Sequence, residues 1–219
     1  MLNADQTDML SELLNIAFGR ATAPIARLMG RFVVLSPPQV EVIQRGSALP
    51  WLQERFGEGS HVHVVQQSFQ PTLLGEAILV MRAEKGSYAW GLFADPDEDP
   101  DELEERDAAL EIANLLVGAC IGRLASLLQT SVRYTPPRLT LFGRPLEELE
   151  LSSGPDIGLL VIHTRFTVEE TRFESCLFLV LSPDVLEWLR GTLDRLIETY
   201  TGESNAPSDA EGAPAAVGG

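Results

Sequence analysis

Two short stretches carry the same polar residues at the same spacing. Asp8, Glu12, Asn15 and Gly19 lie in "DMLSELLNIAFG", and Asp107, Glu111, Asn114 and Gly118 lie in "DAALEIANLLVG". Asn is an indifferent residue for a helix interior, because its short amide competes for nearby backbone hydrogen bonds. The chain holds only four Asn in 219 residues, yet two of them stand three residues after a Glu. Residues three and four apart are neighbours on a helix surface, so each carboxylate and each amide can address one spot. Gly costs about 1 kcal/mol relative to Ala inside a helix, so two matched glycines point to a need for bare backbone. A partner surface that approaches closely would supply that need.

The elements that must position these residues are two amphipathic helices. On the first, Leu10, Leu14, Ala17, Ala21, Ile25 and Leu28 form an apolar stripe at helical spacing. The polar set, extended by Thr22, steps by four, three, four and three along the opposite face. On the second helix, Ala109, Ala113, Leu116, Cys120 and Leu124 repeat the apolar stripe. Helices are predicted at 5–29 and 102–129, the first capped by Asn3 or Asp5 and ended by Gly30. Pro24 removes one backbone bond inside the first helix, which predicts a kink.

Strand text follows the first helix in "RFVVLSPPQVEVI", then a helical turn near "ALPWLQERFG", then "HVHVVQQSF" and "LGEAILVMR". "KGSYAWGLFA" is ambiguous between strand and short helix. After the second helix, "SVRYTPPRLTLF" resembles the first strand, and "IGLLVIHTRFTV" and "TRFESCLFLVL" are the next strands. "SPDVLEWLRGTLDRLIETY" is a closing helix with Ser182 as N-cap and Pro183 at its first position.

This recurrence is an internal repeat at an offset of 99 residues that needs no gap. Asp8 maps to Asp107, Glu12 to Glu111, Asn15 to Asn114, Val33 to Val132 and Pro38 to Pro137. Other positions on the same helix face have drifted, Ser11 to Leu110 for example, so duplication alone does not explain the retained polar set. The predicted fold class is α+β: a tandem helix-plus-strands repeat with pseudo-twofold symmetry, its long helices packed on a shared sheet. One domain over 1–200 is expected, with repeat one at about 5–94 and repeat two at about 102–200, because each half alone would be a marginal core.

The formal charge of −16 argues against phosphate backbones and anionic lipid surfaces, so neither nucleic acid nor membrane is expected as a partner. Part of that charge lies in "DPDEDPDELEERD" (95–107), a linker that becomes a helix start, and in the tail 201–219, which lacks apolar periodicity and is expected to be disordered. Cys120 and Cys176 sit inside apolar runs and are expected as buried, reduced thiols. No leader-like segment and no apolar run of membrane-spanning length is read, so a cytoplasmic location is expected.

The spacing [Asp/Ser]-x3-Glu-x2-Asn-x22-Pro resembles the signature of the CheC/CheX/FliY family of chemotaxis phosphatases. It occurs twice, as Asp8, Glu12, Asn15, Pro38 and as Asp107, Glu111, Asn114, Pro137. A chance match at one starting position has a probability of about one in 10⁴ to 10⁵ at ordinary residue frequencies. Two sites in one chain are most similar to CheC-type members. The resemblance implies hydrolysis of the aspartyl phosphate of a phosphorylated CheY-type response regulator, in chemotaxis or a related two-component pathway. It implies that Asn15 and Asn114 orient the attacking water, and that Glu12 and Glu111 each pair with a receiver lysine. It implies no cofactor of the chain's own, with Mg²⁺ held by the receiver, and a CheD-type deamidase as a further partner. The family's small residues after the Asn are absent here, and Phe18 is expected to narrow the first site.

Other features point elsewhere less strongly. His61 and His63 share one side of a strand, but without a third ligand an ordinary polar strand face is expected rather than a metal site. "WLQERFG" is expected to be a core-facing turn rather than a partner-binding helix. No Gly-rich phosphate loop, nucleophile elbow or Cys pair at metal spacing is found. The alternative to a phosphatase is a non-enzymatic, flagellar-switch-like scaffold of the same fold that binds a receiver.

Overall fold

The computed structural model describes residues 2–29, 32–71, 75–83, 102–150, 158–168 and 171–204. In chain order these form α1 (Ala4–Met29), β1 (Val33–Leu35), β2 (Gln39–Gln44), α2 (Ala48–Phe56), β3 (His61–Pro71) and β4 (Gly75–Arg82). The second half supplies α3 (Glu102–Leu127), β5 (Val132–Tyr134), β6 (Arg138–Pro145), β7 (Gly158–Val168), β8 (Thr171–Leu181) and α4 (Pro183–Ser204). The ambiguous "KGSYAWGLFA" and the acidic run 95–101 lie outside the described residues.

Local chemistry explains the element ends. Asn3, not Asp5, caps α1: its Oδ1 accepts from the Gln6 amide at 2.8 Å, and Gln6 Oε1 accepts from the Asn3 amide at 2.9 Å. That reciprocal pair is a capping box. α1 continues through Pro24 to Met29. Ser182 Oγ accepts from the Val185 amide at 3.4 Å and starts α4, which runs to Ser204. The helix therefore takes up the first four residues of the expected disordered tail, and 205–219 lie outside the described residues. The prolines at 37–38 and 136–137 have no N–H to donate, and they separate β1 from β2 and β5 from β6.

All eight strands join one antiparallel sheet in the order β1-β7-β8-β4-β3-β5, with β2 also on β7 and β6 also on β3. Exchanging the two halves leaves this order unchanged. The first strands of each half therefore pair with a strand of the other half. Registers refine the repeat. Displacing β1 by 99 residues gives β5, but Leu35 faces Phe166 whereas Tyr134 faces Phe69, so β3 maps to β7 at an offset of 97. The β3–β4 and β7–β8 registers then relate β4 to β8 by 98. The gapless offset of 99 is thus corrected in the later strands. It would match Ile78 with Leu177, which face opposite sides of the sheet, whereas an offset of 98 matches Ile78 with Cys176 on the same side. A one-residue slip turns every side chain to the other face, so burial enforces the shorter offset.

One face of the sheet carries α1, α3 and α4 over a core that includes Leu10, Leu14, Leu116, Leu124, Leu79 and Leu189, all buried. The other face is closed by α2 and a short turn at Leu146–Glu148, with Trp51, Leu52 and Phe56 packed on Val64, Val80 and Phe178. "WLQERFG" thus faces the core as expected. Arg55 holds this edge, 3.6 Å over the Trp51 ring and 2.7 Å from Glu41, which also accepts from the Trp51 indole at 3.2 Å. Cys120 and Cys176 are buried, and neither forms a disulfide.

One expectation fails. Glu105–Leu127 is long and apolar enough to cross a membrane by length and composition, with mean hydropathy 1.5. Its composition follows from its position, because α3 packs against α1, the sheet and α4.

Gly75 opens β4 between β3 and β8, where a Cβ would lie 2.5 Å from the Val180 carbonyl oxygen and 2.7 Å from Phe69 Cζ. Backbone on a paired strand cannot withdraw as a flexible side chain can. Gly75→Ala is expected to destabilise the fold by about 1–3 kcal/mol. A lowered denaturant midpoint at unchanged slope checks this.

Candidate functional site

The packing that builds the core also decides which helix faces remain open. Leu10, Leu14, Ala17, Ala21 and Ile25 of α1 point inward, and so do Ala109, Ala113, Leu116, Cys120 and Leu124 of α3. Asp8, Glu12, Asn15 and Gly19 are exposed, as are Asp107, Glu111 and Asn114, while Gly118 is half-buried. Because α1 and α3 pack side by side on the same face of the sheet, both Glu/Asn pairs stand on one exposed helical layer. Phe18 is buried, 1% exposed, so it does not narrow the first site: position 18 falls on the inward stripe of the helix.

Between the helices runs a groove of about 340 Å³ lined in part by Ile16, Arg20, Pro24, Leu115 and Arg123. Ile16 and Leu115 directly follow the two asparagines, so the groove lies beside both.

The final residue of each motif sits in the loop below its helix. Pro38 is buried and Pro137 half-buried. Each loop is tied to a strand of the opposite half. The Ser36 amide donates to the Arg165 carbonyl at 2.8 Å, and the Thr135 amide donates to the Ser68 carbonyl at 3.0 Å. The second site has further polar partners that the sequence reading missed. Gln67 on β3 donates to the Thr135 carbonyl at 2.9 Å and, over a longer 3.4 Å, to Asn114 Oδ1. Tyr134 extends its hydroxyl to the Gly118 carbonyl at 3.5 Å, and burial, followed by the nearby Cys120, raises its pKa so that it stays a donor. A signal for Gln67 exists in "HVHVVQQSF", because it interrupts the core-facing phase that Val65 and Phe69 occupy. Asn15 makes no side-chain hydrogen bond among the described residues.

No cluster of three or more metal-ligating side chains occurs among the described residues. His61 is exposed, but His63 is buried with its ring 4.5 Å from Phe142, so the expected polar strand face is corrected at that position. Phe142 lies on β6, and Arg106 of α3 stands 5.2 Å over the same ring. Burial also raises the Cys120 thiol pKa, which keeps it protonated and a poor nucleophile.

Once these positions are known, comparison with solved structures identifies the fold. The chain is similar to Thermotoga maritima FliY, with a TM-score of 0.65 at 19% identity over 89% of this chain and 98% of that one. It is also similar to the FliM middle domain from H. pylori, with a TM-score of 0.61 at 8% identity over 87% and 99% of the two chains. A third is the FliM middle domain from V. alginolyticus, with a TM-score of 0.60 at 14% identity over 84% and 99%. The α+β fold expected from the sequence is therefore the one observed, shared with FliY and the FliM middle domains. No protein-family model and no curated protein matches the sequence.

Two predictions follow from local environments. Burial lowers the His63 pKa from 6.5 to about 4. Between these values the unfolded chain binds more protons, so the contribution is fully present above about pH 6.5 and is lost as pH falls through 4. At about 1.4 kcal/mol per unit, up to about 3 kcal/mol is at stake. Unfolding midpoints measured from pH 7 to pH 4 should fall accordingly, and His63→Met should flatten that part of the curve.

The glycines give the other. A Cβ at Gly19 or Gly118 would meet nothing within 4 Å, so no contact among the described residues explains them. Replacing both with Ala should raise stability, by up to about 1 kcal/mol each. A lowered unfolding midpoint would show that the bare backbone serves the fold rather than a partner.

Proposed function

We propose that this chain is a phosphatase acting on the aspartyl phosphate of a phosphorylated CheY-type response regulator. The observation that carries this reading is the Glu-x2-Asn pair, displayed twice on the exposed face of two helices that share one sheet surface. In this reading Asn114, and Asn15 in the other half, orient a water in line with the phosphorus. The water oxygen forms a bond to phosphorus, the bond to the aspartyl oxygen breaks, and the products are inorganic phosphate and a free carboxylate. An acyl phosphate is already reactive, so positioning and charge neutralisation carry most of the catalysis. A neutral amide can hold water because it donates and accepts, as Gln does in GTPases.

Glu12 and Glu111 would each pair with a lysine of the receiver and fix its approach, with Asp8 and Asp107 adding to the local negative field. Gly19 and Gly118 would let the partner come close to the helix backbone. The chain needs no cofactor of its own here, and the Mg²⁺ would belong to the receiver. Because receivers act in the cytoplasm, the reading implies a cytoplasmic protein, with a CheD-type deamidase as a second partner.

A second reading is a receiver-binding or switch-like scaffold without catalysis. The fold similarity to FliM favours it, since H. pylori FliM has been solved in complex with FliG. The two readings part at the asparagines. Phosphate release from CheY-type receivers loaded with acetyl phosphate should accelerate in the presence of the parent chain. Asn15→Ala with Asn114→Ala should leave the chain folded, since Ala is a better helix residue than Asn. It should still bind the receiver but lose most of the acceleration, while Glu111→Ala should weaken docking as well. Parental turnover by the double variant would rule out catalysis by either amide.

A further inference from the structure

Gln67 is 2% exposed and lies under α3. Its orientation follows from its partners. The Thr135 carbonyl can only accept, so the end of Gln67 that faces it must be the NH₂ group. The remaining proton of that group needs an acceptor, which fixes Asn114 with Oδ1 turned inward and its own NH₂ turned toward solvent.

The other half provides an internal control. At the offset of 97, Gln67 corresponds to Thr164, and at 99, Thr135 corresponds to Ser36. Thr164 Oγ1 donates to the Ser36 carbonyl at 3.0 Å, as Gln67 does to that of Thr135. Ser36 Oγ accepts from the Arg165 amide at 2.9 Å, as Thr135 Oγ1 accepts from the Ser68 amide at 3.1 Å. A threonine therefore suffices to hold the loop, but its hydroxyl has no second proton to give to an asparagine. The longer side chain also leaves Gln67 Oε1 buried with no hydrogen-bond partner among the described residues, a burden that Thr would avoid. What Gln67 adds is its contact with Asn114.

We propose that Gln67 is a positioning residue that holds the Asn114 amide in one orientation, making the second site the better organised of the two. This rests on the phosphatase reading and deepens it. With its oxygen held from below, Asn114 offers N–H donors to a water or phosphoryl oxygen above. Asn15 must find its orientation when the partner binds.

The test uses the full chain with a CheY-type receiver phosphorylated by acetyl phosphate. In an Asn15→Ala background, which leaves only the second site, Gln67→Thr should lower kcat about five-fold with KM unchanged, the size expected for one positioning hydrogen bond. In an Asn114→Ala background the same substitution should change nothing. A second readout needs no partner: the side-chain NH₂ resonances of Asn114 should shift in Gln67→Thr, while those of Asn15 stay in place. Gln67→Leu, similar in size but without a donor, repeats both measurements should the Thr variant fail to fold. An unchanged kcat together with unmoved Asn114 resonances overturns the proposal. If the parent chain fails to accelerate phosphate release, the phosphatase reading fails, and if the Asn15→Ala, Asn114→Ala protein turns over like the parent, catalysis by the amides fails; in either case the resonances alone decide whether Gln67 holds Asn114.

Discussion

Neither half of this chain can complete its own sheet. β1 and β2 find their partner in β7, and β5 and β6 find theirs in β3, while β4 and β8 join the halves at the centre. Backbone groups left unpaired in a buried strand cost free energy, so each half stays incomplete until the other is in place. This exchange of edges puts both long helices on one face of one sheet. It also ties each proline loop to the other half's third strand, beneath the helix that carries the matching Glu and Asn. The exposed face that carries both Glu/Asn pairs is thus a consequence of strand pairing.

Periodicity made most of this legible. The alternation of "HVHVVQQSF" and the stripes of α1 and α3 report which side is buried, and burial is the dominant favourable term in folding. The exposure of Glu12, Asn15, Glu111 and Asn114 follows from the same stripes. What the sequence hid was register. A constant offset of 99 serves the helices and first strands, but the connections differ in length, with α2 in one half and a short turn in the other. Strand faces then correct the offset by one or two residues. Gln67 was hidden for the same reason: its match with Thr164 exists only at the corrected offset, and its contact with Asn114 spans 47 positions. The membrane-like composition of α3 misleads in the opposite sense, since a helix packed on several sides by its own protein reads much like one surrounded by lipid.

The two half-sites use the same frame with different fittings. In both, a loop residue before the prolines exchanges hydrogen bonds with a strand of the other half, and a buried polar side chain closes onto that loop residue's carbonyl. On this frame the second half-site carries Gln67 and Tyr134, and the first carries Thr164 and Leu35. Where the frame is kept and the fittings differ, the difference is not needed for folding. It is more economically explained by what each half must do above the helix.

An exposed amide costs a helix little, and this bears on how such a site can persist. Replacing Ala by Asn at a solvent-facing helical position lowers stability by only about 0.7 kcal/mol, and a surface Glu by less. A catalytic group built this way needs no buried charge, no strained backbone and no metal in its own chain. The demanding electrostatics, a magnesium ion beside a phosphoryl group, would sit in the partner, and the reactive constellation would exist only in the complex. Stability and activity are then nearly uncoupled in the exposed residues, while Gln67, with its buried oxygen, is where they meet. At the second site, the residue that buries an oxygen at a cost to the fold is thus also the one proposed to give the exposed amide a fixed direction.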